Sequence, residues 1–190
     1  MLASVIIDHL RQKLQENNAA LAFVYCAYND NKTAEDLIRC LLKQIVSQIP
    51  TIPDEIISLH DLYHSTNKPT PRIDDVIRTL QSILSKFSRI YIVIDAIDEF
   101  NDLERSDLLD ALDKIRVSVN ILVTSRPVAS IKKLLHPDIE QPIEAADEDI
   151  IAYIRGQISR KRLNLSEELL KKPELHAQIV SQLVESAKGM

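Results

Sequence analysis

The sequence predicts a three-layer α/β fold, a parallel sheet covered by helices on both faces and followed by a helical extension. Three observations point to it. Short apolar runs recur at Leu21 to Tyr28, Ile90 to Ile94 and Asn120 to Thr124, each with the length and composition of a strand buried on both sides. Amphipathic helical patterns separate these runs, the alternation that produces parallel sheets. From Asp147 the pattern is helical to the end, which divides the chain into a core over residues 1–146 and a helical extension over 147–190.

Taken in order, Leu2, Val5, Ile6, Leu10 and Leu14 recur at helical spacing, and Asn17 and Asn18 stop that helix. Leu21 to Tyr28 is a strand, closed by the turn formers Asn29, Asp30 and Asn31. Thr33 and Asp36 have the spacing of a capping box, and Leu37, Ile38, Leu41, Leu42, Ile45 and Val46 give the next helix one apolar face. Pro50 and Pro53 end it and open an irregular helical connection through Ile56, Ile57, Leu59 and Leu62. Two prolines make 67–72 a loop, after which Ile73, Val76, Ile77, Leu80, Ile83, Leu84 and Phe87 line a helix leading into Ile90 to Ile94. A helix over Leu103 to Ile115, the strand Asn120 to Thr124, a turn at Pro127, a short helix from Val128 to Leu135 and an extended segment from Gln141 to Glu144 complete the core. The closing helical region breaks near Leu163 to Ser166 and at Pro173.

Composition narrows the function. With 45% hydrophobic and 27% charged residues, the 190-residue chain has the balance of a globular domain. A net charge of -5 with scattered basic residues provides no basic stripe for a phosphate backbone, so nucleic acid is not an expected partner. No apolar run reaches the roughly 18 residues of a membrane span, and Asp8, His9 and Arg11 interrupt the first helix. The expectation is an intracellular, cytoplasmic chain without a membrane partner. Cys26 and Cys40 lack metal-ligand spacing and read as reduced, buried apolar residues. Glycine occurs only at 156 and 189, so the chain holds no loop in which backbone N–H groups could wrap a phosphate.

Chemistry concentrates in Ile90-Tyr91-Ile92-Val93-Ile94-Asp95-Ala96-Ile97-Asp98-Glu99. A buried strand here ends in three carboxylates, at the sheet edge where ligands of open α/β folds sit. Asp95 is suited to a hydrated Mg2+, and Asp98 or Glu99 to polarising a water toward a γ-phosphate. An equally open reading makes Asp98, Glu99, Asn101 and Asp102 caps of the helix that starts near Leu103. The segment Ile121-Leu122-Val123-Thr124-Ser125-Arg126-Pro127 sets two hydroxyls and an arginine at the end of a second strand. Arg126 there can read phosphate oxygens with its planar fork, or form a salt bridge with Asp95, Asp98 or Glu99.

IYIVIDAIDEF followed by NILVTSRP resembles the Walker B and sensor 1 segments of NACHT-type STAND NTPases, above all the nephrocystin-3-like amino-terminal domain of fungal multidomain proteins. LASVIIDHL resembles the helix after that family's Walker A loop, FVYCAYND its second strand, TAEDLIRCLLKQIVSQIP the following helix, IEAADEDIIAYIRGQI its post-sensor strand and helix, and SAKGM the start of a further motif. The resemblance implies a P-loop NTPase-like parallel sheet missing its first strand and phosphate loop. By position, Asp95 matches the magnesium-associated aspartate, Asp98 and Glu99 the catalytic acidic pair, and Arg126 the sensor arginine, with Thr124 beside it at the nucleotide. Ala96 stands where the family often has glycine.

The resemblance further implies a piece of a signalling switch that works with Mg2+ and ATP or GTP in the intact parent, flanked by effector and repeat domains and able to self-associate. The parent is an NTP hydrolase, and this chain alone is expected to be inactive and to bind no nucleotide tightly. The alternative is a non-catalytic interaction or oligomerisation module built on the same fold. A receiver-type phosphoacceptor would also use Asp95 and Thr124, but Asp30 stands singly and Gln141 to Glu144 lacks a lysine. His60 and His64 share a helix face without the glutamate and third ligand of a zinc site.

Overall fold

The computed structural model describes residues 2–14, 18–27, 32–65, 70–144, 146–159 and 173–187. The chain forms two compact units, Met1–Pro137 and Asp138–Met190. In the first, three strands pair in parallel in the order β1-β2-β3, with β1 at Ala19–Tyr25, β2 at Arg89–Asp95 and β3 at Asn120–Val123. Leu21 lies opposite Tyr91 and Val24 opposite Ile94, while Ile94 also faces Val123, so all three strands finish at one edge of the sheet.

Side chains alternate across a strand, and two apolar clusters follow from that alternation. Ala20, Ala22 and Val24 of β1 and Ile90, Ile92 and Ile94 of β2 join the larger cluster. Against them pack α2 (Ala34–Val46), α4 (Ile73–Leu84), α5 (Asp102–Asp113) and Ile131 of α6 (Ala129–Leu135). Leu21 and Val93 face the other way and meet Ala3 and Ile7 of α1 (Leu2–Leu14). Fully buried side chains such as Ile92, Leu41 and Leu80 each contribute about 1.5–3 kcal/mol by leaving water.

Local sequence explains the element ends. Thr33 caps α2 through a complete capping box with Asp36, whose carboxyl is held below its usual range by the Thr33 backbone N–H and hydroxyl. Pro53 accepts from the amides of Ile56 and Ile57 and opens α3 (Asp54–Ser65), which is one continuous helix rather than the irregular connection expected for this stretch. Its buried Tyr63 accepts from Arg72 N and donates to Asp75, tying α3 to the start of α4. Among the described residues, the second unit contains α7 (Asp147–Ser159) and α8 (Pro173–Ala187), which contact one another. Pro173 begins α8, a position where its missing N–H costs nothing.

Several expectations change. Gln141 to Glu144 is exposed and pairs with no strand among the described residues; Pro142 has no N–H to give, and Ile143 is 69% exposed. Cys26 is buried as expected, but Cys40 is exposed because it projects from the flank of α2 rather than its apolar face. β1 ends at Tyr25, earlier than Tyr28. The turn at Asn29 to Asn31, the stop at Asn17, part of the loop 67–72, the break at Leu163 to Ser166 and the end of SAKGM lie outside the described residues.

Candidate functional site

The site is built where β2 and β3 end side by side. After Asp95 the chain turns at Ala96, which takes the left-handed conformation with φ 56 and ψ 50. An L-residue is disfavoured there, and glycine is not, which accounts for the glycine that the resemblance associates with this position. The turn drives Ile97 into the core and winds 97–99 into a single 3-10 turn carrying Asp98 and Glu99.

Thr124 fastens this turn to β3. Its amide donates to Ile94 O at 2.9 Å, and its carbonyl accepts from Ile97 N at 3.1 Å. Its hydroxyl accepts from Ala96 N at 2.9 Å and donates to Asp95 Oδ1 at 2.6 Å. The other Asp95 oxygen has no hydrogen-bond partner among the described residues.

Arg126 joins the second half of the site. Its backbone N–H donates to Asp98 Oδ1 at 3.1 Å, Nε to Asp98 Oδ2 at 2.7 Å and Nη2 to Glu99 Oε1 at 2.6 Å. The Arg126 side chain is 71% exposed, whereas that of Asp98 is only 7% and that of Glu99 28% exposed, so the guanidinium lies outermost and covers both carboxylates. Burial pushes the Asp98 carboxyl up, but hydrogen bonds from the Arg126 side chain and backbone outweigh it and hold the group below its usual range. Asp98 and then Glu99 in turn raise Arg126.

The five residues singled out from the sequence therefore come together, in two linked sets: Asp95 with Thr124, and Asp98 and Glu99 with Arg126. Of the residues read as caps, Asn101 is the N-cap, its side chain accepting from Glu104 N, and Asp102 lies in the acidic first turn of α5. Asp98 and Glu99 are salt-bridge partners, and the arginine salt bridge involves them and not Asp95.

Two residues that sequence reasoning passes over support this corner. Arg105, 5% exposed, donates from Nη1 to Phe100 O at 3.0 Å and pairs with Asp102, which pins the exit of the 3-10 turn to α5. Glu104 Oε2 accepts from Ala34 N at 2.6 Å, placing a carboxylate at the positive end of α2. The Asn101-x-x-Glu104 spacing is the signal that marks this junction.

Elsewhere, His60 and His64 stack on α3 with ring centroids 5.5 Å apart, and His60 Nδ1 lies 3.2 Å from Asp61. No group of three or more His, Cys, Asp and Glu among the described residues could hold a metal ion by itself. No helix among them is long and apolar enough to cross a membrane. A family model described as nephrocystin 3, N-terminal, matches residues 1–126, from α1 through Arg126. No curated protein matches the chain.

Proposed function

Because the chain belongs to the nephrocystin 3, N-terminal family, we propose that it is part of a larger multidomain signalling protein and carries the acidic and sensor half of a nucleoside triphosphate switch. The observation that carries this reading is the gathering of Asp95, Asp98, Glu99, Thr124 and Arg126 at the carboxyl ends of two adjacent parallel strands. The free oxygen of Asp95 suits Mg2+, which commonly takes one or two carboxylates and completes its shell with water and phosphate oxygens. Bound there, the ion would neutralise charge on the phosphates of ATP or GTP.

Each side chain then has a definable task. Thr124 fixes the rotamer of Asp95 through the 2.6 Å hydrogen bond. Glu99 orients a water by accepting its proton in a hydrogen bond, and Arg126 turns its fork from Asp98 and Glu99 to the γ-phosphate. Exchange of Arg126 between these partners biases two states of the protein, which is how a phosphate becomes a signal. The phosphate cradle itself must come from residues outside this chain, because its two glycines cannot make one.

The test uses a chain extended upstream through a glycine-rich loop. There Asp95→Asn should weaken Mg2+-dependent nucleotide binding by about tenfold or more, and Glu99→Gln should slow hydrolysis about a hundredfold while sparing binding. Equal binding and turnover in both variants would remove the roles assigned to them. A second reading, a non-catalytic interaction module, is favoured by one feature: the Arg126 guanidinium is engaged by Asp98 and Glu99.

A further inference from the structure

Among the described residues β1 is an edge strand, and an edge strand presents unpaired N–H and C=O groups to any strand that approaches. Its even-numbered residues bond inward to β2, as the bond from Cys26 N to Asp95 O at 2.9 Å shows, so Ala19, Leu21, Phe23 and Tyr25 direct theirs outward. The two central ones, Leu21 and Phe23, are occupied by glutamines. Leu21 N donates to Gln48 Oε1 at 3.0 Å and Leu21 O accepts from Gln48 Nε2 at 2.8 Å. Phe23 N donates to Gln44 Oε1 at 3.0 Å and Phe23 O accepts from Gln44 Nε2 at 2.8 Å.

A primary amide offers the same donor and acceptor pair as a peptide group. Gln44 lies in the last turn of α2 and Gln48 in the turn that closes it, about one helical turn of roughly 5.4 Å further on, close to the roughly 6.6 Å that two residues of strand advance, so the glutamines match every second residue of β1. Neither amide can flip without setting donor against donor. The remaining hydrogens are also used, by Cys40 Sγ at 3.3 Å for Gln44 and by Gln44 O at 2.8 Å for Gln48.

We infer that Gln44 and Gln48 act as a surrogate strand that seals β1 against pairing with a second copy of this chain. The seal is independent of any nucleotide chemistry at the other side of the sheet. Methionine, of similar length and without either hydrogen-bonding end, opens the edge.

The experiment compares the chain with Gln44→Met/Gln48→Met and Gln44→Glu/Gln48→Glu, by amide hydrogen exchange at low concentration and by sedimentation over a concentration series. In the methionine pair the Leu21 and Phe23 amides should exchange about tenfold faster, and association should begin at markedly lower concentration, with protection at those amides returning as it does. The glutamate pair keeps an acceptor for each N–H and adds charge at the edge, and should stay at the unsubstituted chain's association. Should the methionine pair fail to fold, the single variants decide: Gln44→Met should expose Phe23 and spare Leu21, and Gln48→Met the reverse. Unchanged exchange, unchanged association in a folded methionine pair, or loss of protection at both amides in each single variant would overturn the inference.

Discussion

β1 and β3 are the two edges of one three-stranded sheet, and they are finished differently. At β1 the outward peptide groups of Leu21 and Phe23 are met by Gln48 and Gln44, and both faces of the strand are covered. At β3 the inward groups belong to the alternate residues ending at Thr124, which leaves those of Ile121 and Val123 pointing away from β2 with no partner among the described residues. Leu122, on the α1 side of the sheet, is 37% exposed. The closed edge stabilises the fold, while the open one borders Asp95, Thr124 and Arg126. Under the proposed function this asymmetry has a reason: a strand bringing a phosphate loop would pair beside the residues it serves.

The contrast can be broken first by truncation. Ile92→Ala, in the fully buried centre of β2, should cost about 2–5 kcal/mol. Leu122→Ala should cost less than about 1 kcal/mol, because an exposed position loses little on truncation. Chemical denaturation measures both, and a Leu122 cost equal to that of Ile92 would mean that β3 is as enclosed as the centre of the sheet.

Smaller effects sharpen the picture of how the site is held. Asn101→Ala removes the cap of α5 and should cost about 1 kcal/mol, as should Thr33→Ala at α2. If Asn101→Ala also disturbs the resonances of Asp98 and Glu99, the cap and the 3-10 turn act as one unit. Ala96→Gly should stabilise by up to about 1 kcal/mol, since glycine meets no penalty at φ 56. A loss on thermal melting would show that the left-handed turn is not maintained in solution.

The smallest signal concerns pH. The Asp98 carboxyl is depressed in the folded chain, so its contribution is present above the unfolded value near 3.9 and is lost as pH falls through the lower folded value. A pH series of unfolding midpoints should therefore show an acid limb that is shallower in Asp98→Asn. Identical limbs would mean that the Arg126 contact does not persist in solution.

Much of the fold is readable from the sequence, because helices and buried strands announce themselves through local periodicity. Asp95, Asp98, Glu99, Thr124 and Arg126 are likewise visible as residue types at strand ends. Their division into two hydrogen-bonded sets is not, since it depends on how β2 and β3 align. Composition misjudges Cys40: it shares the flank of α2 with Gln44, while Leu37, Leu41 and Ile45 take the apolar face. The glutamine seal links positions 21 and 27 residues apart and leaves no local pattern. Gln141 to Glu144 reads as an extended segment, but a strand exists only against a neighbour, and among the described residues it has none.

Under the proposed function, the rim at the ends of β2 and β3 reads a triphosphate once a phosphate loop is supplied. Calorimetric titration of ATP and of GTP, with and without Mg2+, into this chain and into one extended upstream through a glycine-rich loop tests it most directly. The expected result is Mg2+-dependent binding of one nucleotide by the extended chain, lost on Asp95→Asn, and none by the shorter chain. Binding that ignores Mg2+ and Asp95, or no binding by a folded extended chain, would contradict it.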